Sequence, residues 1–106
     1  MARNALDFNV MIAKEYKAAK EKHPKFCDRL INHKTDWSWL ELMQKHVNDT
    51  ARTYYGENIF LEEFAEAMNA YQQGKLEQSL QEFAQCGAVI LRMMEFVQNE
   101  IDNKKE

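Results

Sequence analysis

LEEFAEAMNAYQQGKLEQSLQEFAQCGAV, residues 61–89, carries two acidic steps on either side of a single glycine. Glu62-Glu63-x-x-Glu66 precedes Gly74, and Glu82-x-x-Gln85 follows it. Side chains three apart on a helix share a face, so each step aims two groups at one place. Apolar residues recur at helical spacing on both sides: Phe60, Phe64, Ala67 and Tyr71 before the glycine, then Leu76, Leu80, Phe83, Gly87, Ile90, Leu91 and Met94 after it. With Gly74 as a left-handed cap, the segment reads as two helices folded back on each other. Glu66 lies eight positions before that glycine and Glu82 eight after; Glu63 and Gln85 are each eleven away. Antiparallel packing then sets Glu66 level with Glu82, and Glu63 level with Gln85.

Working outward, the third helix spans about Ile59 to Gln73, with Asn58 as its N-cap and Glu62 and Glu63 near a favourable first turn. The fourth starts near Leu76 and runs past Ile101. Its stretch from Ala84 to Val97 is apolar nearly all round, which predicts a central buried helix. A second helix begins after Thr35 or Asp36, either of which can cap it, reaches about Tyr54, and is closed by Gly56. A first helix covers about Asn4 to Lys22 and stops at or before Pro24. Its Lys14, Lys17, Lys20 and Lys22, with Lys25 beyond, read as a solvated face, the alternative being a phosphate-binding strip. The expectation is an all-α chain, an antiparallel bundle of about four helices. It forms a single domain over 1–106, with an N-terminal helix and loop over 1–34 and a helical core over 35–103.

Composition agrees. Three Gly and one Pro in 106 residues leave little punctuation for a β fold. A net charge of −3 gives no electrostatic footprint for nucleic acid, so none is expected as a partner. Cys27 and Cys86 lack metal-ligand or CxxC spacing and read as free thiols in a reducing compartment, Cys86 as core packing. Charges interrupt every apolar window near the start, and the run from Cys86 to Val97 contains Arg92 and is too short to cross a bilayer. No membrane partner and a cytoplasmic location are therefore expected.

The chemistry rests on the acids. Carboxylates gathered in one place repel and are costly to desolvate, so a counter-charge is required. Mg²⁺ meets that need, because it takes oxygen ligands, keeps several waters and commonly joins a few carboxylates to phosphates. The bland alternative makes these residues exposed helix positions paired with Lys75 or Arg92. No Gly-rich phosphate loop or Ser/His/Asp pattern is present, and His23, His33 and His46 have no partner spacing for zinc.

Residues 61–67 and 80–89 resemble the MazG-like all-α nucleotide pyrophosphohydrolases, whose pattern is ExxE, a spacer, then ExxD on two antiparallel helices. The resemblance covers about residues 35–98. It implies Mg²⁺-dependent cleavage of (deoxy)nucleoside triphosphates to the monophosphate and pyrophosphate, in a dimer or higher homo-oligomer. Carried over by position, Glu63, Glu66 and Glu82 match the metal ligands, and Gln85 takes the slot of the aspartate. Glu62 matches an acid that precedes the motif and acts in the outer shell or on a water, the candidate catalytic group. Gln85 departs from the pattern, since a neutral amide offers one oxygen but removes a charge.

Arg92 and the aromatic residues complete the candidate list. A guanidinium within the apolar stretch needs a carboxylate partner. Arg92 therefore reads either as a phosphate clamp or as an ion pair with Glu95, with an acid of the third helix, or with a neighbouring subunit. Trp37 and Trp39 are the candidates for stacking on a base, although positions two apart face different ways. Two functions follow: a nucleoside triphosphate pyrophosphohydrolase, or a catalytically impaired helical bundle of the same kind acting as an oligomeric binding module. The six methionines, including Met93-Met94, suit the adaptable interface of the second.

Overall fold

Asp36 Oδ1 accepts the backbone N–H of Trp39 at 3.1 Å and so starts the helix that the sequence placed after Thr35 or Asp36. The computed structural model describes residues 2–105, with four helices and, among the described residues, no strand: α1 Ala5–Lys22, α2 Trp37–Thr50, α3 Gly56–Gln72 and α4 Leu76–Lys105. The all-α expectation is met. The chain divides into two compact units, Ile31–Ile90 and the remainder, with α4 contributing to both.

In the unit Ile31–Ile90, hydrogen bonds at both ends of α2 fix its direction against α3. The Trp37 N–H donates to Gln72 Oε1 at 3.0 Å, and Gln72 Nε2 donates to the Thr35 carbonyl at 2.7 Å. At the other end, Asn48 Nδ2 donates to the Asn58 carbonyl at 3.1 Å. The start of one helix thus meets the end of the other, and the pair is antiparallel. From α3 to α4 the chain turns through Gly74 at φ 79°, the left-handed region where glycine carries no Cβ penalty. The Lys75 N–H bonds the Ala70 carbonyl and the Gly74 N–H bonds the Tyr71 carbonyl, at 2.9 and 3.0 Å. That pair of bonds is a Schellman cap, as the glycine led us to expect.

Small residues on α3 let its neighbours approach closely, and Ala67 is the one that meets α4. Ala65, Ala67 and Ala70 are buried, as is Ser79 on α4, whose hydroxyl donates to the Ala67 carbonyl at 2.9 Å. Farther along, Phe64 meets Trp37 of α2 edge-on at 5.5 Å and Phe83 of α4 at 6.5 Å, joining the three helices through one ring. Ala67 is wholly buried, so a larger side chain there must push the helices apart. Ala67→Leu is expected to destabilise the fold by about 1–3 kcal/mol in urea denaturation, as overpacked core positions do.

The other unit contains α1 and the part of α4 from Leu91 onward. Asn4 and Asp7 form a reciprocal capping box at the start of α1, and Phe8 is the buried residue of that helix. Arg3 Nε donates to Gln98 Oε1 at 2.7 Å, and Gln98 Nε2 donates to Asp102 Oδ1 at 2.9 Å, which satisfies a buried amide on α4.

Three expectations are corrected. Gly56 opens α3 and does not close α2, which ends at Thr50, where the hydroxyl turns back to the His46 carbonyl at 2.9 Å. Asn58 is not a cap; it lies inside α3, its N–H already bonded to Tyr55 and its carbonyl to Asn48. Finally, α4 is not buried all round. Leu80 and Phe96 are about two-thirds exposed (67% and 68%), whereas Ser79 and Cys86, two turns apart on one face, are buried.

Candidate functional site

Register decides which acids meet. Ser79 lies against Ala67 and Phe83 against Phe64, so the pivot of the hairpin falls near Gln73, just short of the glycine. Interpolating between those two pairs sets Glu82 level with residues 64 and 65, between Glu63 and Glu66. Gln85 falls level with Leu61 and Glu62 and is exposed. The expected pairing of Glu66 with Glu82 and Glu63 with Gln85 is therefore shifted by about one position. The shift brings Glu82 nearer to Glu63 and leaves Gln85 outside the group.

The acids are half-buried rather than free. One oxygen each of Glu63 and Glu82, Oε2 in both, is buried and has no hydrogen-bond partner. Burial raises the Glu63 carboxyl above its ordinary range, and the charges of Glu62 and Glu82 add to the effect. Burial also pushes Glu66 up to about 7, helped by the charge of Glu63 and opposed by Lys45. The facing helices thus hold three carboxylates, Glu63, Glu66 and Glu82, close enough to feel one another. Cys86 is buried beside them, and burial, then the charge of Glu63, raises its thiol.

Glu62, Glu66, Glu82 and the neighbouring Glu41 also have local attachments. Asn48 Nδ2 donates to Glu62 Oε1 at 2.7 Å, fixing that carboxylate to α2. Gln78 Nε2 donates to Glu82 Oε1 at 3.2 Å from one turn earlier. Lys45 Nζ lies 2.8 Å from Glu41 Oε2 and 4.0 Å from Glu66 Oε1. Asn69 Nδ2 donates to the other oxygen of Glu41 at 3.0 Å. Burial opposes ionisation of Glu41, yet the bonds from Lys45 and Asn69 outweigh it and hold the carboxyl below its usual range.

As they stand, no three acidic, histidine or cysteine side chains among the described residues are disposed to hold a metal ion. Of the four expected donors, Glu63, Glu66, Glu82 and Gln85, it is Gln85 that the structure sets apart. Gln85 faces solvent, and Glu66 and Glu82 each have one oxygen engaged or approached by a neighbour.

Arg92 belongs to the other unit and is exposed, with no ion pair among the described residues, so the expectation of a buried guanidinium is overturned. Trp37 is half-buried and engaged with Phe64, whereas Trp39 is 55% exposed. The two indoles do not share a surface, as their spacing led us to expect.

Glu41, Lys45, Asn48 and Asn69 were not singled out from the sequence. A signal existed: Glu41 and Lys45 stand four apart in the order that favours a helical ion pair, with Asn48 one turn further on the same face. No helix of the chain is long and apolar enough to cross a membrane, among the described residues. No protein-family model, curated protein or solved structure matches the chain.

Proposed function

We propose that the chain is a Mg²⁺-dependent nucleoside triphosphate pyrophosphohydrolase whose metal is held by Glu63, Glu66 and Glu82. The observation that supports this is the pair of buried carboxylate oxygens without partners, Glu63 Oε2 and Glu82 Oε2, on facing helices. A buried anionic oxygen with no donor is costly, and a cation is the partner that such an oxygen lacks. Hard oxygen donors suit Mg²⁺ in particular. The donor set therefore fits the ion, although the side chains must gather further to coordinate it.

When bound, Mg²⁺ supplies charge neutralisation for phosphate oxygens and lowers the pKa of a coordinated water. The chain supplies the rest. Glu62, fixed through Oε1 by Asn48, stands next to the metal-holding acids as a pre-placed carboxylate to accept a proton from water. The overall reaction adds the water oxygen to the α-phosphorus and breaks the bond to the bridging oxygen of the β-phosphate. Nucleoside monophosphate and pyrophosphate leave. Gln85, exposed and neutral, contributes at most an amide oxygen at the edge of this site.

Pyrophosphate release from a panel of (deoxy)nucleoside triphosphates, with Mg²⁺ and with Mn²⁺, tests this function. Release by the wild type that chelator abolishes is the expected result. No release from any triphosphate at stoichiometric enzyme would overturn it.

A second function has its own support. Leu42, Val47, Leu61, Leu76 and Leu80 are exposed on the helices of the unit Ile31–Ile90. Exposed large apolar residues are the material of a helix interface, which favours an oligomeric binding module without catalysis. On this function, calorimetry finds no Mg²⁺ or nucleotide binding, and sedimentation finds a stable dimer or higher homo-oligomer. A nucleotide–Mg²⁺ pair at 100 times its Kd would instead stabilise the fold by about 2.7 kcal/mol.

A further inference from the structure

We propose that the Lys45 ammonium is the resident counterion of the acidic pocket, and that a divalent cation enters the pocket only by exchange with it. The inference rests on the metal-holding role assigned above to Glu63, Glu66 and Glu82.

The geometry is a single positive charge from α2 set against acids of α3. Lys45 Nζ is bonded to Glu41 and approaches Glu66 to 4.0 Å. Glu41 is itself tied to Asn69 of α3, so the ion pair is anchored to the acidic helix and not merely draped over it. One ammonium cannot serve every carboxylate in reach. It offers three donors from a compact charge, and the buried oxygens of Glu63 and Glu82 remain without partners. Four acids, Glu41, Glu62, Glu63 and Glu66, lie within the electrostatic reach of this one lysine, and Glu82 adds its charge to theirs from α4.

That imbalance explains two features together. The carboxylates are not gathered into a metal-holding group, because the ammonium neutralises only its own side of the pocket. Its side chain is also 44% exposed on a flexible four-carbon stem, so the charge can swing into water without breaking the core. A divalent ion carries twice the charge and accepts several oxygens at once. It can replace the ammonium and satisfy the orphaned oxygens in the same event, which the ammonium of Lys45 does not do. Glu41, released from Lys45 but still held by Asn69, then becomes a further oxygen donor at the border of the site.

Calorimetric titration of the full chain with Mn²⁺ alone, without nucleotide, tests the exchange in wild type, Lys45→Met, Lys45→Gln and Lys45→Arg. The two neutral variants should bind Mn²⁺ more tightly by about fivefold, the upper end of what removing a half-exposed competing ion pair gives. Lys45→Arg, which keeps the charge, should stay within about twofold of wild type. Two neutral variants guard against one of them folding poorly. If wild type binds and the neutral variants bind no more tightly, the exchange is overturned while the metal-holding role of the glutamates survives. Equal tightening in Lys45→Arg also overturns it, since the stem and not the charge would then matter. Binding by none of the four overturns the exchange and the metal role together, whereas binding by the neutral variants alone is the exchange in its strongest form.

Discussion

Glu63→Gln is expected to lower the rate of pyrophosphate release by at least about a hundredfold while raising the thermal stability of the protein. Substituting even an outer partner of a metal ligand costs about ten- to a hundredfold in affinity or activity, and Glu63 is assigned to the metal directly. The gain in stability has a separate cause. Glu63 Oε2 is buried with no donor, and burial together with the charges of Glu62 and Glu82 already disfavours its ionised form. An amide of the same shape removes the charge that the fold cannot satisfy without a cation. Function and stability then move in opposite directions, the pattern of a site kept charged for chemistry.

The opposed movement separates this role from a purely structural one. If Glu63 were an ordinary helix residue, Glu63→Gln would change neither property by more than a few tenths of a kcal/mol. If Glu63 held a structural ion pair, stability would fall. Turnover of triphosphates by Glu63→Gln at the wild-type rate would remove Glu63 from the metal site. Steady-state kinetics and a thermal melt on the same preparations decide the matter.

How much of this was legible before the structure follows from which forces are local. The cap at Asp36 and the Schellman turn at Gly74 depend on a few neighbouring residues, so their signatures lie in the sequence. The hairpin of α3 and α4 was legible for the same reason, to about one position, the error coming from a pivot at Gln73 in place of Gly74. Gly56 and Asn58 misled because both residue types serve either end of a helix; Asn58 is held within α3 by bonds from Gln44 and Asn48 of α2, which the sequence does not show.

Less local features were hidden. The apolar content of Ala84 to Val97 does not say which of those side chains find a neighbour, and Phe96 and Val97 remain exposed. The role of Lys45 was hidden differently. Its spacing from Glu41 is visible, but a lysine four residues after a glutamate reads as a surface pair until α3 is placed against α2. Only then does its ammonium fall beside Glu66. The acids were therefore legible as a group, whereas the cation that answers them was not.

Raising the pH should weaken the folded state, which is the second large expected effect. The Glu66 carboxyl ionises near 4.5 in its ordinary state and near 7 in the folded chain, chiefly through burial and then the charge of Glu63. Between those two values the folded protein holds a proton that the unfolded chain has lost. Increasing pH therefore draws the equilibrium toward unfolding, and the stabilisation fully present below 4.5 is gone above about 7. Glu63, also raised, acts with the same sign, while Glu41, lowered, contributes stability that is lost only as pH falls below the ordinary carboxylate range. Stability should thus peak near the acid end of this window. The ceiling for Glu66 is about 3 kcal/mol, which in a domain of this size amounts to ~13 °C in Tm. Glu66→Gln has no proton to lose, so its melting temperature should vary much less between pH 5 and 8 and exceed that of wild type at the upper end. Mg²⁺ added to wild type at pH 8 should recover part of the loss, because the ion takes over the counter-charge that the proton supplied at lower pH. Melting temperatures across this range, for both proteins with and without Mg²⁺, measure all three effects. A wild-type profile that is flat from pH 5 to 8, with Glu66→Gln no more stable at any point, would mean that Glu66 is solvated like any surface acid. The pocket would then have no need of a cation, and both the metal and the exchange with Lys45 would lose their physical cause.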